Sequence, residues 1–218
     1  MARLFILSRS SPSSGTAFDV ACEMIAEAKK LNQAENITYS VGDATRLTTY
    51  TEYSKAFDKA VAHYCLHWIK DSKAALKGIY NSLKPGGLCF LNTTQKNPDV
   101  IDTLRALGNY NNPRWDAYMK SYKHAYYPFQ GSVDDYKEII SSIGFEVIDC
   151  TQEVVELPIT FDEAKEYCPN FMGQLGRFPD DVREEYVEEA VKYVLDTGYK
   201  DDEGFTMTIC VISAVARK

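Results

Sequence analysis

AFDKAVAHYCLHWIKDSKAALKGIYNSLKPGGLCFLNTT, residues 56–94, reads as strand, helix, strand. AFDKAVAHY (56–64) is short and largely apolar. SKAALKGIYNSL (72–83) sets Ala75, Leu76, Ile79 and Leu83 on one side of a helix. Lys84-Pro85-Gly86-Gly87 stops that helix. LCFLNTT (88–94) is a continuous apolar strand, the pattern expected when both faces of a sheet are covered. Two of the three histidines, His63 and His67, crowd with Trp68 where the first strand ends.

The same rhythm holds upstream. ACEMIAEAKKL (21–31) puts Met24, Ile25, Ala28 and Leu31 on one helical face. NITYSVGDA (36–44) alternates as a strand and ends at Gly42-Asp43. A further strand is expected before the first helix. Strands alternating with helices predict an α/β fold, a parallel sheet with helices on both faces. Downstream the texture changes. Residues 97–130 are aromatic and helical without clean strands, and residues 160–197 form a second helical block. Between them VDDYKEIISSIG (133–144) is a helix with a Gly stop and FEVIDCTQEVVEL (145–157) a long strand. GFTMTICVISAVARK (204–218) closes the chain as an apolar strand. The expectation is one domain over residues 1–218, its two helical blocks inserted as a lid on one sheet.

Composition narrows the function classes. With 45% hydrophobic and 25% charged residues the chain can build a full core. A net charge of −7 argues against nucleic acid as a partner. No apolar run approaches a membrane span, and the start lacks a signal-peptide core. Six cysteines without a C-x-x-C pair read as buried reduced thiols in a cytoplasmic protein, and no His or Cys spacing suggests a metal. Oligomeric state is not legible.

Ligands of open α/β sheets sit beyond the carboxyl ends of the strands. TAFD ends at Asp19, YSVGD at Asp43, and KAVAHYCLHW in the histidines and Trp68. A carboxylate at a strand end suits a ribose diol, and a second one after Gly42 suits an adenine amino group. Singly, each Asp reads as a helix cap or turn residue. At successive strand ends they suggest an adenosine site.

FDVACEMIAEAKK, ITYSVGDATRL, FDKAVAHYCLHWIKD and IYNSLKPGGLCFL follow one another as in class I methyltransferases that use S-adenosylmethionine. More narrowly, the chain resembles the juvenile hormone acid methyltransferases of arthropods, from about Phe18 onward. The resemblance implies a Rossmann-like sheet with an antiparallel C-terminal strand. It implies S-adenosylmethionine as cofactor, with Asp19 on the ribose, Asp43 on the adenine amino group, Ala44 beside the ring and Ala62 at the cofactor. His67 and Trp68 would face the methyl acceptor, a small hydrophobic carboxylic acid of the farnesoic type. Trp115, Tyr118, Tyr122 and Phe129 would line an apolar substrate pocket. His63 stands where the family more often has an aromatic residue, and packing is the role expected of it.

One family element is missing. The Gly-rich turn D-x-G-x-G-x-G after the first strand does not occur. Leu4–Leu7 reads as a short strand and Ser13-Ser14-Gly15 as a turn, but too few residues precede Phe18 for a helix crossing a sheet, which takes about ten or more. The usual first β-turn-α unit is therefore expected to be largely missing, with residues 1–15 an atypical leader on a shortened methyltransferase. Either residues 3–8 fill the gap in the sheet, or the chain is destabilised, or it is incomplete. Two functions follow: methyl transfer to the acid, or a catalytically impaired homologue that binds a hydrophobic ligand or a protein. A nucleic-acid amine methyltransferase is disfavoured, because AHYC stands in place of an N-P-P-Y-type motif. A dehydrogenase lacks its G-x-G-x-x-G turn.

Overall fold

Only Ser11 and Pro12 separate β1 (Phe5–Ser10) from β2 (Ser13–Asp19). So short a connection permits antiparallel pairing alone, and the two strands pair from Phe5↔Phe18 to Ser10↔Ser13. In the computed structural model β1 is also antiparallel to β4 (Phe57–Ala62), from Phe5↔Ala62 to Ser8↔Lys59. Residues 5–8 thus fill the central gap, and the backbone groups of β2 and β4 find partners. Ser13-Ser14-Gly15 extends β2 instead of turning, which corrects the turn expected there. The sheet is mixed, as its antiparallel C-terminal strand leads one to expect, and its middle strand β1 runs backwards as well.

The structure describes residues 5–10, 13–32, 35–96, 112–120, 125–197, 200–201 and 204–218. Its helices are α1 (Cys22–Leu31), α2 (Ser72–Ser82), α3 (Asp116–Met119), α4 (Val133–Ile143), α5 (Phe161–Tyr167) and α6 (Asp180–Thr197). The remaining strands are β3 (Ile37–Val41), β5 (Leu83–Thr94), β6 (Glu146–Ile159), β7 (Lys200–Asp201) and β8 (Gly204–Arg217). The sheet order is β3-β2-β1-β4-β5-β8-β6, with β7 paired to β8. β3 is parallel to β2 and β5 to β4, while β8 is antiparallel to β5. Since β2 and β4 both oppose β1, the strands β2, β3, β4 and β5 all end at one pole.

Two compact units partition the chain: residues 1–95, 126–153 and 211–218, and residues 96–125 and 154–210. The first holds the main core. Leu7, Ala60 and Cys89 align across the sheet on one face and are buried among Leu76, Ile79, Ile140 and Phe145. Ala17, Ile25 and Ala28 are buried outside that cluster, as right-handed crossovers from β2 and β4 require helices on opposite faces. Asp58 fastens the far end of β1. Its carboxylate accepts the Ser10 N–H at 2.8 Å and pairs with Lys84 Nζ at 3.0 Å. Those bonds, the Ser10 one first, hold the Asp58 carboxyl below its ordinary range.

Gly78 decides how closely α2 approaches the turn after β3. A Cβ there would stand 2.5 Å from Leu47 Cβ and 3.3 Å from the Ala44 carbonyl oxygen. In the second unit, Phe178 stacks on Tyr186 with centroids 4.0 Å apart, and both rings meet Trp115 edge-on. No described helix is long and apolar enough to cross a membrane.

Candidate active site

Four strand ends meet at one pole of the first unit. β2 ends at Asp19, whose Oδ1 accepts the Ala21 N–H at 2.8 Å. β3 lies beside it, with Asp19↔Val41 in register and the Gly42 N–H donated to the Asp19 carbonyl at 2.9 Å. Asp43 follows and caps a 3-10 helix, Ala44–Thr49: its Oδ1 accepts from Thr45 N–H at 2.9 Å and Thr45 Oγ1 at 2.7 Å. The capping role read for a lone Asp is therefore real at Asp43, and it uses one oxygen. Among the described residues Oδ2 of Asp43 has no hydrogen-bond partner. Ala44 is buried beneath the turn, and Val20 stands 73% exposed next to Asp19. An exposed aliphatic side chain beside a carboxylate suits a planar base; its signal in sequence was only its place after Asp19.

β4 ends at Ala62, whose side chain is core and whose backbone pairs with Phe5 and Leu91. The chain then turns at Tyr64, with φ +48, a left-handed conformation costly for an aromatic residue. Strain of this kind clusters at functional sites. His63 is exposed, its ring 4.6 Å from that of Tyr64 and 6.1 Å from that of Phe90. His67 and Trp68 sit in the 3-10 turn Leu66–Trp68.

His67 is 3% exposed, and the Thr94 backbone N–H donates to its Nδ1 at 3.2 Å. A neutral imidazole so engaged carries its proton on Nε2, which makes Nε2 the donor. The Trp68 ring lies 5.3 Å from His67, and Tyr126 lies 5.2 Å from Trp68 and 5.6 Å from His67. Tyr126 belongs to the aromatic block expected as a lid, with no individual role read for it from sequence. Residues 125–130 are not helical, where a helix was expected: Phe129 bridges to Gln95, and its N–H donates to the Thr94 carbonyl at 2.9 Å.

Of the four residues expected to line a pocket, three are described, and they are assigned to different units. Phe129 belongs to the first unit and packs edge-on against Tyr136 at 5.0 Å. Trp115 and Tyr118 belong to the second. Trp115 is buried there, its indole N–H donated to Glu189 at 2.9 Å. Tyr122 lies outside the described residues, as does His124. Burial pushes the Cys89 thiol up to about 12 and the Cys168 thiol up to about 11, so neither supplies a thiolate near neutral pH.

Residues 3–91 match the sequence model of the methyltransferase domain family. The fold agrees. A putative methyltransferase from Bacillus halodurans superposes with a TM-score of 0.59 at 15% identity, over 93% of this chain and 82% of that one. A cyclase superposes with a TM-score of 0.52 at 17% identity, over 93% and 65%. The cyclase shows that this fold alone does not fix a reaction. The sheet and its structural neighbours show the fold of class I methyltransferases, and the domain match over residues 3–91 supports methyltransferase activity.

Among curated proteins the chain resembles juvenile hormone acid O-methyltransferases. It is 28% identical to the one of Drosophila melanogaster over 215 residues, 92% of this chain and 70% of that protein. It is 25% identical to the one of Bombyx mori over 213 residues, 92% and 74%.

Proposed function

We propose that the chain transfers a methyl group from S-adenosylmethionine to the carboxylate of a small apolar acid of the juvenile hormone acid or farnesoic type. The observation that carries the acceptor side is the fixed imidazole of His67 beside Trp68. An acid with a pKa near 4–5 is ionised at neutral pH, so its methylation needs no general base. It needs the carboxylate held in line with the methyl group and sheltered from water. The Nε2–H of His67 and the indole N–H of Trp68 are donors of the right kind, and the Trp68 and Tyr126 rings supply apolar wall.

The residues present fit the nucleoside end of the cofactor. Asp19 would take the ribose hydroxyls and the free Oδ2 of Asp43 the adenine amino group, with Val20 and Ala44 about the ring. At the other end β1 enters the sheet from the site pole, so its last residue, Ser10, lies at the opposite pole. No described residue is assigned to the methionine end. When bound, S-adenosylmethionine supplies a methyl group activated by its sulfonium charge.

Incubation with methyl-labelled S-adenosylmethionine and a panel of farnesoic-type acids tests the reading. Labelled ester is expected, and His67→Ala should lower turnover about tenfold or more while cofactor affinity holds. Loss of cofactor affinity in His67→Ala would make its role structural. The reversed β1 favours a second reading, binding without transfer, and bound acid with no labelled ester from any member of the panel would select it.

A further inference from the structure

What holds the His67 ring in place lies far along the chain. Thr94 is gripped at three atoms: its N–H donates to His67 Nδ1 at 3.2 Å, its carbonyl accepts the Phe129 N–H at 2.9 Å, and its hydroxyl is bonded to the Tyr126 hydroxyl at 2.9 Å. The Tyr127 N–H donates to the His67 carbonyl at 2.6 Å. The Tyr126 ring closes the group edge-on to the imidazole, with an interplanar angle of 70°. Thr94 is 5% exposed, so water does not readily replace these bonds.

We infer that Tyr126 is a positioning residue for the acceptor carboxylate: through Thr94 it holds the His67 imidazole in the tautomer that donates from Nε2. A proton on Nδ1 would face the Thr94 N–H, donor against donor, in a buried site. The tautomer therefore lasts as long as Thr94 stays where it is. Thr94 ends β5 opposite Val211, and the Tyr126 hydroxyl is the partner of its side chain. That the donor serves a carboxylate rests on the proposed methyl transfer; the clasp itself does not.

Tyr126→Phe and Thr94→Val each remove one hydroxyl of the pair, and Thr94→Ser keeps it. Imidazole nitrogen shifts in 15N NMR read the tautomer directly. The wild type should show Nε2–H, the two variants a mixture, and Thr94→Ser the wild-type pattern. Turnover on the acid should fall about tenfold in each variant, with the KM for S-adenosylmethionine unchanged, and the double variant should lose no more than either single one. An unchanged tautomer in Tyr126→Phe, or single losses that multiply, would overturn the inference. Should the wild type esterify no acid, the proposed function fails, while the nitrogen shifts still decide the clasp.

Discussion

Leu7→Ala tests the reversed central strand. Leu7 is fully buried, in register with Thr16 on one side and Ala60 on the other. Leu→Ala in a core costs about 2–5 kcal/mol, more where the site cannot collapse. Here ladders on both sides of β1 hold the backbone, and the neighbours Ala60 and Ala62 are too small to lean into the space. The upper half of the range, about 3–4 kcal/mol, is expected. For a chain of this size that lowers the thermal midpoint by roughly 6–15 °C. Ile6 points to the opposite, half-buried face, and Ile6→Ala should cost about half as much. Circular dichroism during thermal and urea unfolding gives both numbers. If the two variants cost the same, or Leu7→Ala costs less than about 0.5 kcal/mol, residues 5–10 do not form a strand inside the sheet.

Three further outcomes follow from the packing and charges. Gly78→Ala, which would stabilise an ordinary helix by about 1 kcal/mol, should here lower the melting temperature and weaken cofactor binding, since the new Cβ pushes on Leu47 and the Ala44 carbonyl; a raised melting temperature would refute the close approach. The Asp58 carboxyl is held low in the folded chain, so its contribution is complete above its unfolded value near 4 and lost as pH falls through the folded value. Asp58→Asn should therefore flatten the acid limb of a melting-temperature profile, and an unaltered limb would contradict the Ser10 and Lys84 bonds. In the second unit Glu189→Ala strands the Trp115 and Asn112 donors at a cost of about 1–3 kcal/mol. Glu189→Gln keeps an acceptor and should lose less, as tryptophan fluorescence during unfolding would show.

How legible this was depended on distance along the chain. The helix–strand alternation from Cys22 to Thr94 was readable because each element carries its own period and its own stop, Asp71 capping α2 and Gly144 ending α4. The places of Asp19, Asp43 and His67 at one pole were readable because each ends or follows a strand with its own apolar pattern. The hairpin was missed, although its cause was in view: a two-residue link rules out a crossover helix and leaves antiparallel pairing as the alternative. The pairing of Tyr126 with His67 was missed for a different reason. Its place beside His67 follows from the Gln95–Phe129 bridge and the Thr94 bonds, contacts between segments that no local pattern announces. Trp115 carried a local aromatic signal, and the structure packs it against Phe178 and Tyr186.

Calorimetric titration of the chain with S-adenosylmethionine and S-adenosylhomocysteine bears most directly on the cofactor site proposed at Asp19 and Asp43. Saturable one-to-one binding of both is expected. Asp43→Ala should weaken it about tenfold to a hundredfold, the worth of a hydrogen bond to a charged group. No heat from a chain that unfolds cooperatively, or equal affinity in Asp43→Ala, would contradict an adenosine site at these strand ends.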